Sequence, residues 1–313
     1  MRRAIMLKRI YVGKPHVNPF GSLPLLPLLF GMLVLTSNLS MATTPQESKT
    51  VLAWQILALT PSDLQKIGAR IYQNEGASKP ENLLFWSEKE PFPSLGIAHF
   101  IWLPQGLDVP FVQTFPQLML FSRHNFPEVP IPQIDLLYSN VAPWPNRTAF
   151  LLAKSSGELQ ELQSWLEDNV DIQAAFVVQR FWEGQARLFT KVAAEEREQL
   201  ETKLQQMMRF PAGLFALIDY ANFKGFGDDP RERYQGEGWG LLQVLQRMPN
   251  RILSNPMPGE ERVHSLQSTQ VLNDFIEAGQ AVLAQRVALA PNSQREIAWL
   301  KGWQARIALY AQP

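Results

Sequence analysis

The chain has 313 residues, 46% of them hydrophobic, no cysteine, and 29 basic against 29 acidic residues. Without cysteine it can form no disulfide and accept no cysteine-linked lipid. A hydrophobic core alone must therefore stabilise the fold, and this length is sufficient for one. The balanced charge includes no basic stripe of the kind that a nucleic-acid-binding protein needs, so no nucleic-acid partner is expected.

The first 42 residues have the pattern of a secretory signal peptide. They hold five basic residues and no acidic ones, an apolar stretch at 23–35, and a small-residue cleavage site, Ser-Met-Ala, at 40–42. The apolar stretch is shorter than the roughly 20 residues of a membrane-spanning helix, and Pro24 and Pro27 interrupt it. We therefore expect a periplasmic or secreted protein with no stable membrane span after cleavage. An uncleaved membrane anchor is the alternative.

A linker at 43–58 separates this signal from the first predicted helix. Thr60 begins a capping box, and Pro61 suits the first helical position. The helix should run to Glu75, because Gly76 is a natural C-terminal stop. Cleavage at 42 leaves 24 basic against 29 acidic residues, so the mature surface should be mildly acidic.

The rest of the chain predicts one domain over 59–313, of the α+β class and predominantly α. A small β-hairpin is expected near 85–102, where an apolar segment follows an irregular stretch with prolines. The proline-rich stretch 104–147 permits only short helices, and a glycine-rich charged loop at 223–238 interrupts the helical pattern that follows. The helices expected after residue 104 are 111–123, 133–138, 148–153, 157–167, 169–182, 192–208, 211–222, 239–247, 268–288 and 293–310.

Glu75 is the first residue whose position suggests chemistry. Leu64, Ile67 and Ile71 recur at helical spacing and mark the buried face of the first helix, and Glu75 continues that face. Partial burial and the negative end of the helix dipole should both raise the pKa of Glu75. A glutamic acid that is protonated near neutral pH can donate a proton to a glycosidic oxygen. The alternative is that Glu75 bends into water where the helix frays.

The segment from Glu75 onward resembles the active-site region of the lysozyme-like superfamily, in particular the phage-type lysozymes. In that family a helix ends in Glu-Gly, and a loop with an acidic residue leads to a strand that reads Thr-Ile-Gly-(Ile/Tyr)-Gly-His. Here Glu75-Gly76 is followed by an acidic loop and by Ser-Leu-Gly-Ile-Ala-His at 94–99. Three features depart from the pattern: Glu88 stands in place of an aspartate, Ala98 in place of a glycine, and the loop is longer.

The resemblance implies a lysozyme-like fold and a glycoside hydrolase that cleaves a β-1,4-linked amino-sugar polymer, peptidoglycan first and chitosan second. It implies that Glu75 is the general acid, Glu88 the second carboxylate, Ser94 the residue that holds the attacking water, and His99 a structural histidine. Glu90 competes for the role of second carboxylate and is otherwise a substrate contact. Phage-type relatives invert, so Glu88 would activate a water.

A second region, 216–245, is similar to the helix and polar loop that form the far wall of the cleft in lysozyme-like enzymes, including the chitosanase branch. A loop rich in specific polar groups is a hint of function, although a glycine-rich connector with solvated charges is the alternative. Aromatic residues near the two regions could stack on sugars or could belong to the core. The proposed substrate contacts are Glu90, His99, Trp102, Asn222, Lys224, Glu232, Tyr234 and Gln235.

No motif in the sequence indicates a cofactor or a metal, because the histidines are isolated from one another and no phosphate-binding loop occurs. Trp299, Trp303 and Arg306 repeat at helical spacing and predict a helix that packs on the body of the protein, with no chemistry. The expected partner is a polysaccharide. The departures from the lysozyme-like pattern favour an alternative, a non-catalytic periplasmic binding or structural protein.

Overall fold

The computed structural model describes residues 52–109, 112–132, 140–190, 192–230, 232–251 and 261–312. The predicted signal peptide and the predicted helix at 133–138 lie outside these residues. The described part is predominantly helical with small antiparallel sheets, as the α+β prediction requires. The helices are α1 (Ala53–Ile56), α2 (Pro61–Gly76), α3 (Phe115–Asn125), α4 (Arg147–Ser156), α5 (Gln160–Asp168), α6 (Val170–Leu188), α7 (Ala194–Met208), α8 (Pro211–Lys224), α9 (Leu241–Arg247), α10 (Glu261–Leu289) and α11 (Ser293–Ala308).

The helix predictions hold with shifted ends, and the linker prediction needs a correction. Residues 53–56, expected to be linker, form α1. Ala53 is fully buried, and its amide donates to the Gln179 side chain on α6 at 2.9 Å. The folded domain therefore begins before residue 59. α6 and α10 are both longer than predicted. α6 continues through Gly184, which lies just beyond its predicted end and does not stop it.

A three-stranded antiparallel sheet takes the place of the predicted hairpin. Its strands are β1 (Leu84–Phe85), β2 (Ser94–Leu95) and β3 (Phe100–Ile101), in the order β1-β2-β3. Directly paired residues share a face of a sheet. One face, here called the outer face, therefore carries Phe85, Ser94 and Ile101. The opposite face carries Leu84, Leu95 and Phe100, which are buried in the core.

The predicted loop at 223–238 holds a second, two-stranded sheet, which corrects the expectation of an irregular connector. β4 (Arg233–Tyr234) pairs with β5 (Glu237–Gly238). The turn residues Gln235 and Gly236 both have positive φ, 52° and 88°, as a tight type I′ hairpin requires. Gln-Gly is a weaker signal for this turn than Asn-Gly, so the sequence pattern did not reveal the hairpin.

α6 is the central helix of the core. All residues from 172 to 178 are buried, and α6 packs against α1, α2, α3, α5 and α8. This part of α6 is buried on all sides, as expected for a helix segment in the core. α10 and α11 pack as a pair, and α10 also packs on α7, α8 and α9. Within the described ranges no helix has the length and apolar character needed to cross a membrane.

Candidate functional site

Glu75 lies in the last turn of α2, at the edge of the protein surface. Leu64, Ile67 and Ile71 are buried, so the apolar face predicted for this helix is confirmed. The helix ends at Gly76, after which Ala77 adopts a left-handed conformation with φ 52°. The Glu75 side chain is 20% exposed. It therefore neither points freely into water nor lies within the core.

Arg306 on α11 is the main partner of Glu75. One guanidinium nitrogen donates to Glu75 Oε1 at 2.8 Å and to Asp219 Oδ1 at 2.8 Å, and Nε donates to Asp219 Oδ2 at 3.0 Å. Asp219 lies on α8 and is 0% exposed. It also accepts hydrogen bonds from the Tyr310 hydroxyl at 2.7 Å and from the Asn74 amide at 3.2 Å. We call these five residues the Arg306 network.

The Arg306 network joins α2, α8 and α11. Burial by itself would lower the pKa of Arg306, but the carboxylates of Asp219 and Glu75 outweigh it and raise this pKa. Burial, together with the charge of Asp219, raises the pKa of Tyr310 well above its usual value, so this residue stays a hydroxyl donor. The fully buried carboxylate is thus saturated by donors, and it holds Arg306 in a fixed position against Glu75.

His99 lies on the other side of Glu75, in the turn between β2 and β3. Its Nδ1 is 3.9 Å from Glu75 Oε2, and its ring stacks on Phe85 at 5.7 Å between centroids. The backbone of His99 has φ 51°, an uncommon conformation for a residue with a side chain. The turn is anchored to α6, because Gln173 Oε1 accepts the Ile97 amide at 3.0 Å. Burial lowers the pKa of His99, against the opposing effect of Glu75, and favours the neutral imidazole.

Glu88 and Glu90 lie elsewhere, in the segment that connects β1 to β2. They line a groove of about 350 Å³. Glu88 is 79% exposed and lies 3.6 Å from the Arg147 guanidinium. Partial removal from water raises the pKa of Glu90. The groove is lined by Trp86, Ser87, Glu88, Glu90, Pro91, Pro104, Gln105, Gly106, Leu107, Pro145, Asn146 and Arg147, and Glu75 is not among them.

The structure therefore does not bring Glu75 and Glu88 together in one groove, as the lysozyme-like assignment required. In an antiparallel sheet the β1–β2 connection and the β2–β3 turn lie at opposite ends. Glu88 and Glu90 are at the first end, and His99 with Glu75 is at the second. Ser94 begins β2, so it lies at the end with Glu88 and Glu90. It is on the outer face opposite Phe85, and its side chain is mostly buried.

Several predicted substrate contacts are occupied within the protein. Trp102 is buried against Phe115 and Trp144, so it belongs to the core and cannot stack on a sugar. The Tyr234 hydroxyl is buried and donates to Glu296 at 2.7 Å. Gln235 is exposed, and its amide donates to the Leu289 carbonyl at 3.4 Å.

The remaining predicted contacts, near the end of α8, are buried or half-buried. Lys224 is buried, with its ammonium 3.5 Å from the Trp303 ring centroid and 4.0 Å from that of Phe223. Glu232 is half-buried beside Gly225. Asn222 is half-buried one turn after Asp219, so of these predicted contacts it lies nearest in sequence to the Arg306 network.

Four residues of this site were not predicted from the sequence to take part in its chemistry: Asn74, Asp219, Arg306 and Tyr310. The usable signal was Asp219, an acidic residue within the apolar helix that includes Leu217 and Ile218. A carboxylate is almost never fully buried without a partner. That rule predicts a buried cation for Asp219, but it does not say which basic residue supplies it.

Comparison with protein-family models, with curated proteins and with solved structures finds no significant match. Across the part of the chain that the structure describes, no group of three or more His, Asp and Glu residues could hold a metal ion. The groups that the structure brings together at this site are Glu75, His99 and the Arg306 network.

Proposed function

We propose that the protein is an exported glycoside hydrolase of the lysozyme-like type, which cleaves a β-1,4-linked amino-sugar polymer. Peptidoglycan is the proposed substrate, and Glu75 is the proposed proton donor. One observation carries the proposal: the Glu75 carboxyl reaches the surface, while Arg306, itself held by a fully buried carboxylate, fixes it from behind. A catalytic group needs this combination of access and rigid support.

The hydrogen bonds of Arg306 are distributed unequally, and this matters for the mechanism. Arg306 makes two hydrogen bonds to Asp219 and one to Glu75. A sugar that enters beside Glu75 can replace the single bond, while the two bonds to Asp219 keep Arg306 in place. Glu75 would then take up a proton from solvent and pass it to the glycosidic oxygen as the glycosidic C–O bond breaks. A water adds to the anomeric carbon, and its surplus proton returns to solvent.

The outer face of the three-stranded sheet is the proposed path of the glycan. Phe85 is partly exposed there and stacks on His99, which contacts Glu75. The groove with Glu88 and Glu90 lies at the far end of the same sheet. Because these two carboxylates do not share a groove with Glu75, we propose that they bind the glycan rather than activate the water.

The ion pair itself favours a second candidate function, a non-catalytic periplasmic protein that binds glycan. Glu75 is 2.8 Å from the Arg306 guanidinium, so its carboxyl is engaged in an ion pair within the protein. In this second case the Arg306 network serves only to join helices, and the surface beside it serves only to bind.

Digestion of purified peptidoglycan sacculi separates the two candidates. The wild-type protein should release soluble muropeptides, and Glu75→Gln should reduce the rate at least about 100-fold, the effect of losing a general acid. Glu198→Gln is the matched control, since Glu198 lies on the exposed face of α7. Glu88→Gln and Glu90→Gln should raise KM with little change in kcat.

The possible outcomes are distinct. Activity that survives Glu75→Gln would remove Glu75 from the mechanism. A wild-type protein that sediments with sacculi but releases nothing would support the second candidate. Circular dichroism and thermal melting of every variant exclude loss of folding as the explanation.

A further inference from the structure

We propose that one face of α11, which carries Arg295, Trp299, Trp303 and Arg306, is a binding surface for about two neutral or anionic amino-sugar units of the glycan. We call it the α11 stripe. The inference rests on the proposed function, because it identifies where that substrate extends beyond Glu75. At 100° per residue these four side chains fall within a narrow sector of the helix.

The two tryptophans form a continuous aromatic surface. Their ring centroids are 5.9 Å apart with an interplanar angle of 42°, and Trp299 is 43% exposed. An indole this accessible presents a large apolar area, and such rings are enriched where proteins bind partners. The C–H groups on the flat face of a pyranose ring pack well against such a surface.

Two cations hold the Trp303 ring in place. The buried ammonium of Lys224 lies 3.5 Å from its centroid, and the Arg286 guanidinium lies 5.0 Å from it. Arg286 is in turn paired with the buried Glu296 at 3.0 Å. A ring fixed by cation–π contacts loses little conformational entropy when a ligand binds.

The α11 stripe is continuous with the Glu75 site. The Lys224 ammonium, which also contacts Trp303, lies 4.0 Å from the Phe223 ring centroid, and the Arg306 guanidinium lies 4.2 Å from the same centroid. Arg306 then contacts Glu75. From Trp299 to Arg306 the helix rises about 10 Å, a length that suits about two linked sugar rings.

Charge selects the kind of sugar. Arg295 is exposed, lies 5.3 Å from the Trp299 ring centroid, and makes no ion pair with the residues that the structure describes. An unpaired guanidinium repels the ammonium groups of glucosamine and tolerates N-acetylated or carboxylated sugars. The α11 stripe should therefore prefer N-acetylated glycan over chitosan.

Calorimetric titration with two tetramers tests this assignment. The N-acetylglucosamine tetramer should bind the wild-type protein, and the glucosamine tetramer should bind at least about tenfold more weakly. Trp299→Ala should weaken binding of the N-acetylated tetramer about tenfold, the effect of removing one stacked ring, and Trp299→Phe should recover most of it. Ile297→Ala is the matched control, because Ile297 is 62% exposed on the opposite side of the same helix.

Each outcome decides the inference. Equal binding by the wild-type and Trp299→Ala proteins overturns it, as does a preference for the glucosamine tetramer or the absence of saturable binding by the wild-type protein. Sacculi digestion that is unchanged in Trp299→Ala would overturn the α11 stripe and leave the hydrolase proposal standing. Binding that depends on Trp299, without any digestion, would support the α11 stripe and overturn the hydrolase proposal.

Discussion

Arg306→Met tests whether the Arg306 network is a principal source of stability in this domain. Methionine is apolar and of similar length, so it fills the space without supplying donors. The substitution removes two hydrogen bonds from Asp219 and one from Glu75. The carboxylate of Asp219 remains fully buried. Among the described residues it keeps hydrogen bonds only from the Tyr310 hydroxyl and the Asn74 amide, and the charge of Arg70 still acts on it.

The magnitude follows from the different surroundings of the two carboxylates. Loss of one partner from a buried ion pair costs about 3–5 kcal/mol. Glu75 is 20% exposed and can turn to water, so most of the cost comes from Asp219. We expect the lower end of the range, about 3 kcal/mol, which corresponds to a decrease in Tm of about 6–12 °C. Glu75→Gln, which leaves the buried pair intact, should cost no more than about 1 kcal/mol.

Urea denaturation followed by circular dichroism measures these differences. The double variant Arg306→Met/Asp219→Asn should be more stable than Arg306→Met, because it removes a buried charge that has lost its main partner. The reasoning is refuted if Arg306→Met lies within about 1 kcal/mol of the wild-type protein. It is also refuted if Glu75→Gln destabilises as much as Arg306→Met does.

Two further predictions concern the β2–β3 turn. Burial lowers the pKa of His99, so the unfolded chain binds a proton at this residue at higher pH than the folded chain does. The free energy of unfolding therefore falls as pH drops through about 6.5. His99→Asn, which suits a positive φ, should flatten the curve of unfolding free energy between pH 7 and 5, and an unchanged curve would contradict the assignment. Gly96→Ala should cost about 2 kcal/mol or more, because φ is +74° and a Cβ would lie 2.4 Å from Gln173 Oε1. Gly106 also has φ +74° but has open space around it, so Gly106→Ala in the same urea titration measures the cost of the positive φ alone. Equal losses of unfolding free energy for the two variants would show that the contact with Gln173 is unimportant.

Local structure in this protein follows from short-range chemistry that is visible in the sequence. Thr60 and Asp63 form the predicted capping box, with the Thr60 amide donating to the Asp63 carboxylate at 2.9 Å. The spacing of the apolar residues in α2 identified its buried face, and Gly76 identified its end. These features involve residues within a few positions of one another, so local propensity and periodicity are sufficient to predict them.

The partners of the site were decided by tertiary packing. Arg306 is 231 residues from Glu75 and 87 from Asp219, and no local pattern indicates which of the basic residues would complete a buried pair. The pairing of β1 with β2 likewise placed Glu88 at the opposite end of the sheet from Glu75, although the two are close in sequence. The amino-acid sequence alone determined that a carboxyl would continue the apolar face of α2 at its end. Packing of α2, α8 and α11 determined what that carboxyl contacts, because a buried charge takes its partner from whichever element the core brings within reach.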